Sequence, residues 1–298
     1  MRIVATIFCL PYEIDELEVL LHQLRSASYH LSNKVELVLD VTLCLSATMV
    51  NWSKSSIHKK YFEDKFLTIS SQTDWCIKYF KTTTDILGST SHRRDSFNTH
   101  HESADHFIWI DTRIVFPEKT LYYLEQSLNT ISPTNPYSIV TPELVRMWDS
   151  SWDIIVNENF RHKEHNYQQS ANPYKDSGIY GEVVTQKVEN KLEGQPRYKF
   201  MAGIFTCIST PLLERIGIPT SFGNFGYLDT FIMCSSEKLT QTTDIHVQQF
   251  KMKNVVVLEN YKYSNYFHYL NNMTAADRKD EFEKIAEPNF RKELDNIK

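Results

Sequence analysis

The stretch Phe107-Ile108-Trp109-Ile110 constrains this chain more than any other feature, because four large apolar residues run directly into a carboxylate at Asp111. An unbroken apolar run of this length fits a central strand covered on both faces. A carboxylate at its end fits a strand whose carboxyl terminus opens into a site. A helix start follows, since Pro117 suits a first turn, Glu118 complements the helix dipole, and Leu121, Leu124 and Leu128 form one face. Strand, site and helix therefore follow one another in the order of a layered α/β unit.

Other segments repeat that alternation. Arg2 to Cys9 reads as a first strand, and Ile14, Leu17, Leu20, Leu21 and Leu24 form a helical stripe that would lie on the sheet. Val35 to Val41 reads as a second strand ending near Asp40. The segments Trp75 to Phe80 and Ser96 to Ser103 are expected to be helical. Phe200 to Ile208 reads as a strand, followed by a helix with Thr210 as cap, Pro211 at its first position and Gly217 at its end. Val255 to Leu258 is a further strand. The fold class is α/β, a mixed, mostly parallel sheet flanked by helices. From Trp152 to Arg197 the chain turns polar without periodicity, which predicts an irregular excursion or lid at about 150–198 within a single domain over 1–270. The charged stretch 271–298 reads as a solvated helix and tail.

The 298 residues, 41% of them hydrophobic, suffice for a sizeable core. A net charge of -5 disfavours a nucleic-acid polymer as partner, because phosphate-binding surfaces carry an excess of Lys and Arg. The five cysteines are dispersed, and Cys9, Cys44 and Cys207 sit in apolar runs, a pattern of buried free thiols that predicts a reducing, cytoplasmic setting. Ile3 to Leu10 is too short to cross a membrane and meets Pro11 and an acidic segment, so no transmembrane segment or leader is expected.

Four segments carry a resemblance. They are the opening strand with Pro11 and Glu13; Asp40 at the second strand; His92-Arg93-Arg94-Asp95-Ser96-Phe97-Asn98 leading to Ala104 through Asp111; and Gly223-Asn224-Phe225-Gly226-Tyr227-Leu228-Asp229-Thr230-Phe231. In this order, from Arg2 to about His268, the chain resembles the inverting glycosyltransferase family two and its GT-A relatives. The resemblance implies a GT-A, nucleotide-diphospho-sugar transferase-like fold that moves a sugar from a nucleotide-diphosphate donor to a hydroxyl acceptor, a glycan or a small molecule, with inversion. It implies Pro11 and Glu13 facing the nucleotide, Asp40 holding the nucleobase, Arg94 near the diphosphate, and Asp111 binding donor or metal. Asp229 would be the base, Mn or Mg the cofactor, and His268 a further metal ligand. One position departs from the pattern: Arg113 stands where the family's second acidic residue would be.

Such a transfer needs a stabilised leaving diphosphate and a base for the attacking hydroxyl. Arg113 cannot ligate a cation, but its planar fork can pair with phosphate oxygens and open a metal-independent route. It can equally face away, or pair with Asp111 or Glu118. Asp111 can bind ribose or metal, or order a loop, and Asp40 can form a turn. Asp229, between the aromatic Tyr227 and Phe231, is expected to be a base of raised basicity, or an N-cap for a helix over Thr230 to Ser236. Arg93 and Arg94 would contact the diphosphate, or divide into one solvated and one paired residue. His246 and His268 are ligand candidates whose alternative is a packed, hydrogen-bonded ring. Trp148, Trp152 and Tyr174 offer stacking surfaces for sugars, or pins for the excursion. A non-catalytic GT-A-like nucleotide- or glycan-binding protein is the competing function. A phosphate loop and a Gly-x-Gly-x-x-Gly fingerprint are both missing near the first strand, which disfavours nucleotidyltransferases and dehydrogenases.

Overall fold

The computed structural model describes residues 1–45, 56–84, 88–131, 133, 135–148, 204–223, 228–260, 284–285 and 287–297. Their strands are β1 (Arg2–Cys9), β2 (Glu36–Cys44), β3 (Ile77–Thr83), β4 (His106–Asp111), β5 (Ile114–Val115), β6 (Ser138–Trp148), β7 (Phe205–Ser209) and β8 (Gln248–Asn260). The helices are α1 (Ile14–Ser28), α2 (Ser56–Gln72), α3 (Ser89–His100), α4 (Thr120–Ile131), α5 (Thr210–Ile216), α6 (Leu228–Thr242) and a further helix, Glu287–Asn296. One sheet of order β3-β2-β1-β4-β7-β6-β8-β5 runs through the molecule. Strands β3, β2, β1 and β4 are mutually parallel, as are β6 and β8, whereas β7 is antiparallel to both its neighbours. The architecture is thus the mixed, mostly parallel sheet flanked by helices that the sequence predicts. Among the described residues no helix is long and apolar enough to cross a membrane.

Side-chain alternation sorts the parallel strands into two faces. One face takes Ile3, Ala5, Ile7 and Cys9 of β1, Leu37, Leu39, Val41 and Leu43 of β2, and Ile108 and Ile110 of β4. Against it lie the predicted stripe of α1 and the Leu121, Leu124 and Leu128 face of α4. Each Ile, Leu and Val among them contributes about 1.5–3 kcal/mol of burial free energy. The opposite face carries Val4, Val38, Phe107 and Trp109 and packs against α3, α5 and α6 through Phe97, Leu212, Leu213, Phe231 and Ile232.

Three elements depart from expectation. Ile77 to Phe80 belongs to a strand and not a helix, because it forms the outer edge of the sheet and pairs with β2 from Val38↔Ile77 onward. The second strand runs on to Cys44, so Asp40 lies inside it, opposite Thr6 and Tyr79. The helix Glu287–Asn296 is not wholly solvated: its Phe290 stacks near Phe222 and Phe231, with ring centroids 6.4 and 6.1 Å away. The helix after β7 starts one residue earlier than predicted, with Ser209 and not Thr210 at its N-cap and Pro211 second in its first turn, while Gly217 ends it as predicted at φ 72°, a left-handed value that favours glycine. The cysteines form no disulfide, and Cys9, Cys44 and Cys207 are buried as predicted. The excursion at about 150–198 and most of 271–298 lie outside the described residues.

Candidate functional site at the carboxyl ends of β1 and β4

The chain leaves β1 toward β2 and β3 on one side, then returns to place β4 on the other side of β1. That reversal opens a crevice at the carboxyl ends of β1 and β4, the usual ligand position in an open α/β sheet. Glu13 and Asp111 lie there. The turn Pro11–Glu13 follows β1 directly, with Pro11 buried at its first position. The backbone N–H of Leu10 donates to Glu13 Oε2 at 3.1 Å, which folds the carboxylate back over the strand end. Asp111 closes β4, and its own backbone N–H donates to Ile204 O at 3.0 Å. Just beyond, Gln23 of α1 pins the following segment, donating to Ile114 O and accepting from the Phe116 N–H. The backbone on both sides of Arg113 is therefore fixed.

Charged groups converge on this crevice. Arg113 Nε lies 3.5 Å from Glu13 Oε1, and its Nη2 lies 3.8 Å from Asp111 Oδ2. The other Asp111 oxygen, Oδ1, is 3.7 Å from Arg93 Nη2. Arg93 Nη1 in turn donates to Asp229 Oδ1 at 3.2 Å. The Arg93 guanidinium also stacks over Trp109, 4.7 Å from the ring centroid, a cation–π contact away from bulk water. Asp229 sits in the first turn of α6, where the helix dipole favours a carboxylate. Its helix begins at Leu228, so Asp229 is one residue inside it and not its N-cap. Among the described residues Phe231 turns into the core and Arg93 is the charged neighbour of Asp229.

Glu13 is strongly perturbed by its surroundings. Burial pushes its carboxyl from an ordinary 4.5 up to about 7, outweighing the opposing pull of Arg113 and of the Leu10 hydrogen bond. Near neutral pH it therefore exchanges a proton readily, a property common at functional sites.

Two predicted site residues sit elsewhere. Asp40 is buried under α3, where His100 Nε2 donates to its Oδ2 at 3.1 Å. Burial would raise its carboxyl, yet the bonds from His100 and Ser96, with His92 and Lys81 nearby, draw it below the ordinary value. A carboxylate so placed is not open to a nucleobase. Arg94 points away from the crevice and donates to Pro219 O at 3.3 Å. The arginine in the site is its neighbour Arg93. His246 is exposed and precedes β8, at the end of the sheet opposite the crevice. His268, Trp152, Tyr174 and Asn224 to Tyr227 lie outside the described residues, as does the side chain of Trp148. Sequence reasoning missed Trp109 as the platform for Arg93. The signal was there, since Phe107, Trp109 and Asp111 share one face by the strand period of two.

The cluster is a poor cage for a divalent cation. Both Asp111 oxygens already face guanidinium groups, and the adjacent Arg113 is itself a cation that offers a metal no lone pair. Among the described residues no group of three His, Cys, Asp or Glu side chains is arranged to hold a metal.

No protein-family model matches the chain, and no curated protein sequence matches it. Among solved structures it is similar to residues 1–349 of TarS from S. aureus in complex with UDP-GlcNAc, with 9% identity, TM-score 0.49, and coverage of 87% of this chain and 59% of that one. It is also similar to the mannosyltransferase PcManGT from Pyrobaculum calidifontis in complex with GDP-Man and Mn2+, with 14% identity, TM-score 0.47, and coverage of 87% and 56%. A third is A197 from STIV, with 11% identity, TM-score 0.35, and coverage of 86% and 84%. The chain spans under three fifths of the length of the first two of these structures.

Proposed function

We propose that the chain is a GT-A-type glycosyltransferase that moves a sugar from a nucleotide-diphosphate donor to a hydroxyl acceptor, a glycan or a small molecule. One observation carries the reading: Arg93 and Arg113 converge with Glu13, Asp111 and Asp229 at the reversal point of the sheet. Two guanidinium forks there suit a diphosphate, whose oxygens they can pair with bidentately. Asp111 then meets the donor ribose, and Pro11 with Glu13 lines the nucleotide side. The acceptor oxygen forms its bond to the anomeric carbon as the bond from that carbon to the diphosphate oxygen breaks. The leaving diphosphate takes the electron pair, and Asp229 takes the acceptor's proton. Attack opposite the leaving group inverts the anomeric centre. Because the described donor set does not fit Mn or Mg, no step is routed through a metal, and the positive charge opposite the diphosphate comes from Arg113 and Arg93. Buried cysteines outside any disulfide fit a reducing, cytoplasmic setting.

The test is a thermal-shift panel of nucleotide sugars with and without Mn, since a ligand that binds the folded state raises Tm. The binding donor is then assayed for transfer and hydrolysis with Asp229→Asn. Donor binding should survive and turnover should fall at least about 100-fold, the scale of a lost general base. Unchanged turnover in that variant refutes the assignment. The competing reading, a non-catalytic nucleotide- or glycan-binding domain, is favoured by the engagement of Asp229 with Arg93. It predicts donor binding with neither transfer nor hydrolysis.

A further inference from the structure

The α3 face of the sheet differs from the α1 face in a way that core formation does not require. Strands β1 and β2 show α1 an unbroken apolar surface. On the other side the same strands place Thr6, Asp40 and Thr42, all nearly inaccessible to solvent, directly beneath α3. Buried polar groups stabilise less than apolar packing of the same shape. What they add is direction, because a hydrogen bond is satisfied in one geometry only.

Each member of this inlay has a partner on α3. Ser96 and Thr6 hydroxyls lie 3.0 Å apart. His92 Nε2 faces the backbone carbonyl of Asp40 at 3.3 Å and its Nδ1 faces Thr42 Oγ1 at 3.0 Å. A carbonyl only accepts, so Nε2 carries the proton and Nδ1 accepts from the threonine hydroxyl. Burial pushes His92 down to about 4, so the ring is neutral as this pattern needs. His100 Nε2 donates to Asp40 Oδ2 at 3.1 Å, and Tyr79 packs edge-on against the His100 ring at 4.6 Å. Residues 92, 96 and 100 are spaced by four and form one helical stripe. The adjacent stripe is Arg93, Phe97 and His101. Phe97 packs on Phe107 at 5.5 Å and Arg93 on Trp109. The polar stripe therefore sets the rotation of α3, and that rotation sets where Arg93 points. A slip of one residue would turn the helix by about 100° and carry Arg93 off the Trp109 ring.

We propose that Asp40 and His100 are positioning residues, which act through α3 to hold the Arg93 guanidinium between Asp111 and Asp229. The inference rests on the proposed function only in assigning Arg93 to diphosphate binding. The placement of Arg93 itself does not depend on that reading.

The test uses the full chain and two separate readouts. The first is Trp109 emission, isolated by subtracting the spectrum of the same variant carrying Trp109→Phe. The second is binding of inorganic pyrophosphate by calorimetry, in a cycle of His100→Leu and Arg93→Lys. His100→Leu should alter Trp109 emission in the direction that Arg93→Lys does. It should also weaken pyrophosphate about tenfold in the parent chain and by less than about twofold in the Arg93→Lys background, the non-additivity of residues acting through one group. His100→Gln, whose amide can replace the Nε2 donor, should restore affinity to within about threefold of the parent. Asp40→Asn serves as the second variant if His100→Leu does not fold cooperatively. Equal losses in both backgrounds, or Trp109 emission unchanged in both His100→Leu and Asp40→Asn, overturn the proposal. A parent chain that does not bind pyrophosphate counts against the proposed function, and Trp109 emission alone then decides the positioning.

Discussion

Glu13→Gln probes the site through stability, without need of a substrate. The folded chain raises the Glu13 carboxyl from 4.5 to about 7, chiefly by burial. At about 1.4 kcal/mol per unit, that rise amounts to about 3 kcal/mol. The sign follows from proton counting. Between pH 4.5 and about 7 the folded chain holds the proton and the unfolded chain has released it, so stability falls as pH rises across this window and levels off above it. Against a total of about 5–15 kcal/mol for a typical domain, the loss is readily measured. Glutamine keeps an acceptor for the Leu10 N–H and cannot ionise. The stability difference between wild type and Glu13→Gln, from urea unfolding at a series of pH values, should therefore move by about 3 kcal/mol in favour of the variant across that window. Arg113 opposes the rise, so Arg113→Met should shift the step to higher pH. A flat difference, or one that moves toward wild type as pH rises, would show that the charge of Arg113 outweighs desolvation and refute the reasoning.

The remaining predictions concern the metal, the core and one turn. Transfer should persist in excess EDTA, because Arg113 and Arg93 supply the positive charge; strict dependence on Mn or Mg would sink that account. Leu24→Ala, at a fully buried position of α1, should cost about 2–5 kcal/mol by urea unfolding. Gly217→Ala, at φ 72° and ψ 171° with open space around the added methyl group, should cost about 1–3 kcal/mol from backbone strain alone.

The legibility of the fold tracked how strongly burial shaped each segment. Strand β1 begins and ends at the predicted residues and β4 extends the predicted run by one residue at each end, because both are covered on two faces and read as unbroken apolar runs. β3 was misread as helical because it is an edge strand with most of its side chains exposed, so neither period is imprinted on it. Its content of Ile77, Tyr79, Phe80, Thr82 and Thr83 fits a strand nonetheless. β6 escaped notice because Pro142 interrupts it, at the point where its register with β8 shifts. Within the site, Asp111, Arg113, Glu13 and Pro11 were legible because they follow strands whose ends were correctly placed. Arg93 was not distinguished from Arg94 because the choice depends on the rotation of α3, and its polar stripe looks like a solvated face until Thr6, Asp40 and Thr42 are known to lie under it. The same ignorance put Asp40 at a strand end, although Thr42, Leu43 and Cys44 carry the strand onward.

The two parts of the cluster are held by different means, and this bears on how the site fails. Glu13, Asp111 and Arg113 are tied to the ends of two adjacent central strands and to Gln23, so they remain together as long as the sheet is intact. Arg93 and Asp229 belong to helices, and their separation depends on how α3 and α6 are seated. α3 is seated by directional hydrogen bonds, whereas α6 is seated by the Phe222, Phe231 and Phe290 rings and by Lys238, which donates to the backbone carbonyls of Leu294 and Asp295. Charge attraction weakens gradually with distance, but a hydrogen bond of 3.2 Å is lost with a shift of about an ångström. A lesion beneath α3 or at the Phe290 contact should therefore separate Asp229 from Asp111 before it disturbs the sheet. A lesion at the Phe290 contact would then spare donor-side binding, whereas one beneath α3 displaces Arg93 and weakens donor-side binding together with the hold on Asp229.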